Sequence, residues 1–410
     1  MKTQRTLLWA AAGSILLSSI ADAQLLPTDD RWVEATLSSL TLDQRIGQLF
    51  IPVHRSVDST AAMIREFHIG GIWFAWHDAR RVAAELNELQ SRSVVPLLVT
   101  VDFEKGAGTY VDGATDLPAN MALGATRDPE LVYRSAALTA REARAIGVHL
   151  NYAPVLDVNN NPLNPVINTR SYGEDPALVA LLGRAAVRGY QEHGLLATGK
   201  HFPGHGNTST DTHTSLGVVE GDAAAFESME LLPFREVLAS TDLSSMMSAH
   251  LWIKALDSDT IPATLSPRVM DTLLRKQLGF DGLVLTDAMV MGGITTRYPF
   301  REAVVQALRA GCDIILFPGN LSEGVQACRD AVARGDLTEE SIDRSVRRIL
   351  RAKTRAGLHL RRLVDLAALD STVGTEGNYA EAKAIAGPCL TLARDARSLI
   401  PLTSEHSAAV

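Results

Sequence analysis

Eight short apolar runs, spaced by amphipathic stretches, constrain this chain more than any other feature. They read "GQLFIPV", "GGIWFAW", "VPLLVTVD", "VHLNYAPVLDV", "LATGKHF", "SSMMSAHLWI", "GLVLTDAM" and "CDIILFPG". Helical patterns lie between most of them: "DARRVAAELNELQSR", "PELVYRSAALTAREARAIG", "PALVALLGRAAVRGYQEHG", "AAAFESMELLPFREVLAS", "SPRVMDTLLRKQLG" and "FREAVVQALRAG". A strand that is apolar along its whole length must be covered on both faces, and a helix after each strand supplies that cover. The pattern predicts an α/β fold with a parallel sheet. Eight units predict a (β/α)8 barrel of the TIM type over residues 30–364, with room for one irregular unit. Of the 410 residues 46% are hydrophobic, enough for a large core.

The barrel reading makes a demand. Chemistry in this architecture sits at the C-terminal ends of the strands. Polar residues gather there: Asp102 ends "LLVTVD", Asp157 lies in "APVLDV", Lys200 and His201 end the fifth run, His250 ends "MMSAH", and Asp287 ends "LVLTD". Five of eight runs ending in this way predicts an active site rather than a structural polar rim.

Outside the barrel the chain says less. Residues 1–23 read as an export signal: "MKTQR" is basic, an apolar run follows, and "ADA" fits a small-x-small cleavage site before Gln24. No Cys follows that site to suggest a lipoprotein, and after cleavage no stable membrane span is expected. The product would be periplasmic or secreted. Cys312, Cys328 and Cys389 show no metal spacing, and an odd count argues against a disulfide framework. Net charge is −8 and no long basic block stands out, so nucleic acid is not an expected partner. The most basic segment, "RSVRRILRAKTRAGLHLRRL", repeats Val346, Ile349 and Leu350 at helical spacing and predicts an amphipathic helix with a solvated basic face. Residues 365–410 hold one helical pattern, then "CLTLAR" as a candidate strand, too little core for a domain alone. They read as a strap on the barrel or as the opening of a second domain.

The densest chemistry lies in "GKHFPGHGNTSTDTHTS". Gly204 and Gly206 allow tight turns and Pro203 stiffens the entry. Asp211 and His213 are two apart, which on an extended stretch puts both side chains on one side. A carboxylate beside an imidazole fixes its tautomer and raises its basicity, so His213 is a candidate general acid/base. His201, His205, Asp211 and His213 are also zinc-ligand types, and His205 could simply brace the loop. Lys200 beside His201 argues against a cation and for the hydroxyl groups of a ligand. Asp287, opening a loop at a strand end, can serve as nucleophile, base or ligand, or merely cap a helix. Retaining glycosidases pair a carboxylate nucleophile with a second acid/base group, and Asp287 with His213 would be such a pair.

These residues carry a resemblance. "GKHFPGHGNTSTDTH" resembles the signature of glycoside hydrolase family 3 in its β-N-acetylhexosaminidase branch, KHFPGHG followed by an Asp-x-His pair. "NYAPVLDVNNNPLNPVINTRSYGEDP", "LPANMALGAT", "SAHLWIKALD", "PATLSPRVMDTLLRKQLGFDGLVLTDAM" and "AGCDIILFPGN" are similar to further family blocks, so the likeness runs from about Leu40 to Arg355. It implies that Asp287 is the nucleophile and His213 the acid/base with Asp211 as its partner. It implies that Asp102, Arg170, Lys200 and His201 hold the sugar, with Asp157 and His250 near the site. It implies double displacement with retention, with water or phosphate as acceptor and no metal or organic cofactor. The implied substrate is terminal β-linked N-acetylglucosamine of peptidoglycan fragments or chitin oligomers.

One block departs from the family. Where the pattern reads Asp-Gln-Glu-Gly-Gly-Arg-x-x-Arg, this chain has "DFEKGAGTY": both arginines are missing and Tyr110 stands where a sugar-binding Arg is expected. The departure bears on substrate preference, not on reaction type. "AKAIAGPCLTLARDARSLIPL" is similar to the opening of the α/β sandwich domain of two-domain members. The rivals are a β-glucosidase of the same family, which takes a Glu acid/base from outside this loop, and a sugar-binding barrel without catalysis. A metal-dependent barrel hydrolase is the third.

Overall fold

In a computed structural model the residues described are 30–400, apart from 76, 393 and 397–399. The export signal expected over residues 1–23 and the end of the chain beyond residue 400 lie outside them. Each of the eight apolar runs contains a strand: β1 (Phe50–Ile51), β2 (Gly71–Trp73), β3 (Leu98–Val101), β4 (Leu150–Asn151), β5 (Leu196–Phe202), β6 (Ser245–Ser248), β7 (Leu283–Leu285) and β8 (Ile315–Leu316). Strands β2 to β7 form one parallel, six-stranded sheet in sequence order, and β1 pairs in parallel with β8. Single bridges join Val53 to Trp73 and Leu285 to Ile314. The result is an α/β fold around a curled parallel sheet. The strands are buried on both faces, and their few polar residues, among them Thr198, Lys200, Ser245 and Ser248, are buried with them.

The helices begin and end where side chains satisfy their free backbone groups. Asp128 and Asp175 cap Pro129–Ile146 and Pro176–Glu192, each with Pro in the first turn, and Gly147 closes the former at φ 106°. Asp78 caps Ala79–Arg92 by accepting from the Arg81 N–H. Two expected elements divide. "AAAFESMELLPFREVLAS" becomes Ala223–Ser228 and Leu232–Ser240, because Pro233 can start a helix but not continue one. "SSMMSAHLWI" splits at His250: its first half is β6, and Leu251–Ile253 pairs outside the main sheet with Gly217–Val219.

The basic segment forms the helix Glu339–Arg355, with Val346, Ile349 and Leu350 buried as expected. Its charged face is not simply solvated. Arg347, Arg348, Arg351 and Arg355 pair with Glu34, Asp281, Asp30 and Asp242, and Lys353 is fully buried against Gln48. Residues 365–392 cross the outside of two helices: Arg80 of Ala79–Arg92 reaches the Leu366 carbonyl and Asp370, and the part that follows lies on Pro129–Ile146. Buried Glu142 accepts from Gly374 N at 2.8 Å and Asn378 Nδ2 at 2.7 Å, and Arg141 pairs with Glu381. "CLTLAR" forms no strand among the described residues: Cys389 ends a short 3-10 turn, and Leu390 and Leu392 are exposed.

Candidate active site

Strands β3 to β7 are neighbours, so the polar residues at their C-terminal ends meet. A cavity of about 670 Å³ opens there. Asp102, Arg170, Lys200, His201, His213 and Asp287 line it, with Trp73, Glu104, Tyr110 and Phe317.

The floor is a network of charges. Lys200, from β5, is buried and donates to Asp102 Oδ1 at 2.7 Å and lies 2.7 Å from Glu104 Oε1. Arg170 donates to both oxygens of Glu104, from Nε at 3.0 Å and from Nη2 at 2.8 Å. Trp73 Nε1 donates to Asp102 Oδ2 at 2.9 Å. Burial alone would raise the Glu104 pKa, but Lys200 and Arg170 outweigh it and hold the carboxyl far below the usual range. The same pairing raises Lys200 and Arg170 against the opposing effect of burial. Lys200 has three protons and uses two here, so one remains for a ligand.

His201 lies in this network in a fixed tautomer. A guanidinium only donates, so the contact of Arg170 Nη2 with His201 Nε2 at 3.3 Å makes Nε2 the acceptor. The proton is then on Nδ1, which donates to Asp157 Oδ2 at 2.7 Å. Asp157 also accepts from His201 N at 3.2 Å and from His205 N at 2.7 Å. Burial opposes its ionisation, but the two imidazoles and the backbone N–H of His205 lower its pKa. Asp157 is fully buried behind the cavity wall, and so is His250. Both were expected near the sugar; neither lines the cavity. His250 Nε2 donates to the Ala288 carbonyl at 3.1 Å, directly after Asp287, and burial lowers its pKa.

Asp287 stands at the end of β7 and accepts from Ala288 N at 2.7 Å. Burial would raise its pKa, yet His201, His250, the Ala288 N–H and Lys200 together lower it, so the carboxylate is ionised. It does not cap a helix; the next one, Gly292–Thr295, begins several residues later.

The loop carrying His213 is not extended, contrary to the sequence reading. Asp211 opens a tight turn in which its Oδ1 accepts from His213 N at 2.9 Å and lies 2.7 Å from His213 Nδ1. The pair meets because the side-chain oxygen captures the N–H two residues on. His213 is exposed on the cavity rim, and Asp211, itself outside the lining, is held below the usual carboxylate range chiefly by that N–H. The turn is tied down: Gly292 N and Gly293 N donate to the His213 and Thr212 carbonyls at 2.8 and 3.0 Å. A Cβ on Gly292 would come within 2.3 Å of Thr214, so only glycine permits this approach. His205 braces the loop between Thr208 and Thr212, and burial brings its pKa down to about 4. It does not group with His201 and His213 as a metal cluster among the described residues.

Glu104, Trp73 and Phe317 were not singled out as site residues from the sequence. Glu104 had the clearest signal, a carboxylate two residues beyond the third run. Trp73 and Phe317 belong to the second and eighth runs and look like core. Their rings meet edge-on at 5.0 Å, and Tyr110 packs against Trp73 at 6.0 Å, giving one wall an aromatic face.

Known proteins place this arrangement. Residues 41–352 match the family profile described as the glycosyl hydrolase family 3 N terminal domain. A protein of Cellulomonas fimi named β-N-acetylglucosaminidase/β-glucosidase is 33% identical over 386 residues, covering 92% of this chain and 68% of its own. Beta-hexosaminidase A of Pseudoalteromonas piscicida is 34% identical over 325 residues, covering 72% of this chain and 54% of its own, so this chain spans about half of that relative. The solved structure of a family 3 β-N-acetylglucosaminidase from Paenibacillus sp. superposes with a TM-score of 0.81 at 41% identity, covering 84% of this chain and 68% of that one. This chain belongs to glycosyl hydrolase family 3, and carries its N-terminal domain.

Proposed function

We propose that the chain is a retaining exo-β-N-acetylglucosaminidase that removes terminal β-linked N-acetylglucosamine from peptidoglycan fragments or chitin oligomers. The observation that carries this reading is the Asp211–His213 pair at 2.7 Å, on the rim of the cavity that Asp287 also lines. Asp287 attacks the anomeric carbon as His213 Nε2 gives a proton to the leaving oxygen. The neighbours that keep Asp287 ionised, Lys200 and the Ala288 N–H among them, suit it as a nucleophile. In the second step His213 takes a proton from water, and water displaces Asp287 with overall retention. Asp211 holds the ring by Nδ1, leaving Nε2 free for both transfers. Asp102 accepts from sugar hydroxyls; the last proton of Lys200 and the Arg170 guanidinium donate to them.

The eight strands are read as one closed (β/α)8 barrel, a view supported by the β1–β8 pairing and by the bridges Val53–Trp73 and Leu285–Ile314, which connect the two sheets. Export through residues 1–23 and a second domain opening after residue 365 complete the proposal. A second reading, β-glucosidase activity at the same site, is favoured by the double name of the Cellulomonas fimi relative.

The test compares 4-nitrophenyl N-acetyl-β-D-glucosaminide with the matching β-D-glucoside, with and without EDTA. Turnover of the N-acetyl substrate that ignores EDTA and falls about 10²–10⁴-fold in His213→Ala is expected. Preference for the glucoside moves the assignment to the second reading. Turnover of neither substrate defeats the proposal for this chain.

A further inference from the structure

Away from the charge network, three groups converge that the reaction does not use. His54 follows β1 and is buried; His77 lies in the short strand His77–Asp78; Glu85 is in the helix Ala79–Arg92. Each offers one ligand atom, and the three atoms lie within 4.8 Å of one another. His54 Nε2 is 3.2 Å from Glu85 Oε2, and the two imidazole rings stand 5.8 Å apart. Nδ1 of His54 is 2.8 Å from Thr60 Oγ1. A hydroxyl on the far ring nitrogen is the kind of outer partner that fixes a metal-ligating histidine.

We propose that His54, His77 and Glu85 form a zinc site, with water as the fourth ligand. Two imidazole nitrogens and one carboxylate oxygen make a zinc donor set, and imidazole selects against magnesium and calcium. On a tetrahedral ion with bonds of about 2.0–2.1 Å the ligand atoms stand about 3.3 Å apart, so side-chain adjustments of about an ångström close the site. Arg81 Nε donates to Glu85 Oε1 at 2.9 Å and leaves Oε2 for the metal. Its positive charge opposes the ion, but the side chain is 69% exposed and the repulsion is screened.

The site is structural rather than chemical. Its ligands come from two stretches of chain, His54 after β1 and the segment that runs from His77 into the helix carrying Glu85, which the ion would hold together. His77 N also donates to the Tyr110 carbonyl at 3.1 Å, and His77 pairs with Val111. The metal therefore braces the outer side of the segment that carries Tyr110, while Asp287, His213 and Asp211 are placed without it and turnover does not depend on the ion.

The test is zinc titration calorimetry on the full chain after chelation and desalting, with His77→Gln, Glu85→Gln and His213→Ala alongside. His54 is buried and its loss would disturb the fold, so the two other ligands carry the test; circular dichroism melts show that each variant is folded. The expected result is one equivalent of zinc, bound at least about tenfold more weakly by His77→Gln and by Glu85→Gln, and unchanged by His213→Ala. X-ray absorption at the zinc edge should show two imidazoles. Failure to bind one equivalent overturns the proposal, as does zinc lost in His213→Ala and kept in His77→Gln and Glu85→Gln.

Discussion

Glu104→Gln tests whether the floor of the cavity is held by charge. Glu104 accepts from Arg170 twice, at 3.0 and 2.8 Å, and pairs with Lys200 at 2.7 Å. The amide keeps the shape and one acceptor oxygen. It turns an NH₂ toward a cation and leaves two positive groups sharing Asp102 alone. Hydrogen bonds to charged groups are worth about 1.5–3 kcal/mol each, and breaking a buried pair from one side costs about 3–5 kcal/mol. The Arg170 side chain is 30% exposed, so water recovers part of that loss. The expected cost is about 3 kcal/mol, a fall in Tm of about 4 °C for a domain of this size.

The pH dependence supplies the sharper check. The Glu104 pKa is depressed on folding, so its contribution is present above the unfolded carboxyl value and fades as pH falls below it toward the folded value. The gap between wild type and Glu104→Gln should therefore be constant from pH 8 to about pH 5 and narrow below that. Thermal melts of both proteins from pH 8 to pH 3.5 measure it. A gap under about 1 kcal/mol at neutral pH, or one that widens in acid, refutes the reasoning.

Two further outcomes concern the loop and the base of the sheet. Gly206→Ala places a Cβ 1.6 Å from the Val158 carbonyl oxygen, so the loop must shift, and a fall of at least about tenfold in kcat/KM is expected in initial-rate assays. Lys353, buried on one hydrogen bond to Gln48, has its pKa lowered from 10.5 to about 7 by burial, with Arg362 adding to it. Between those values the unfolded chain holds more protons, so stability rises with pH there, and at or below pH 7 the penalty is at most about 5 kcal/mol. Lys353→Met removes the penalty but strands the Gln48 oxygen at a cost of about 1–3 kcal/mol; denaturant melts should find it more stable than wild type at pH 6, with the advantage gone by pH 9–10.

Much of this was legible in the sequence for a definite reason. A strand covered on both faces has few polar positions to interrupt it, so β1 to β8 announced themselves, and the polar residues where β3 to β7 stop followed. Partners contributed by distant segments were not legible. Glu104 becomes a site residue because Arg170 and Lys200, 66 and 96 positions away, reach it. The Asp211–His213 contact was expected from strand periodicity and arises from a turn, since a local side-chain bond outcompeted extension. The split at His250 had no local cue either: Leu251–Ile253 leaves the main sheet because Gly217–Val219 offers it a partner. A basic helix face looks solvated in any sequence, and only the fold brings Glu34, Asp30 and Asp281 to it.

The proposed double displacement requires a covalent bond between Asp287 and the sugar. A 5-fluoro N-acetylglucosaminyl fluoride should trap that intermediate, and peptide mass spectrometry after acid quenching locates the label. The added glycosyl mass is expected on the peptide containing Asp287 and is expected to be absent in Asp287→Asn. Label on any other residue, or turnover of the reagent with retention and no labelled peptide at all, would contradict it.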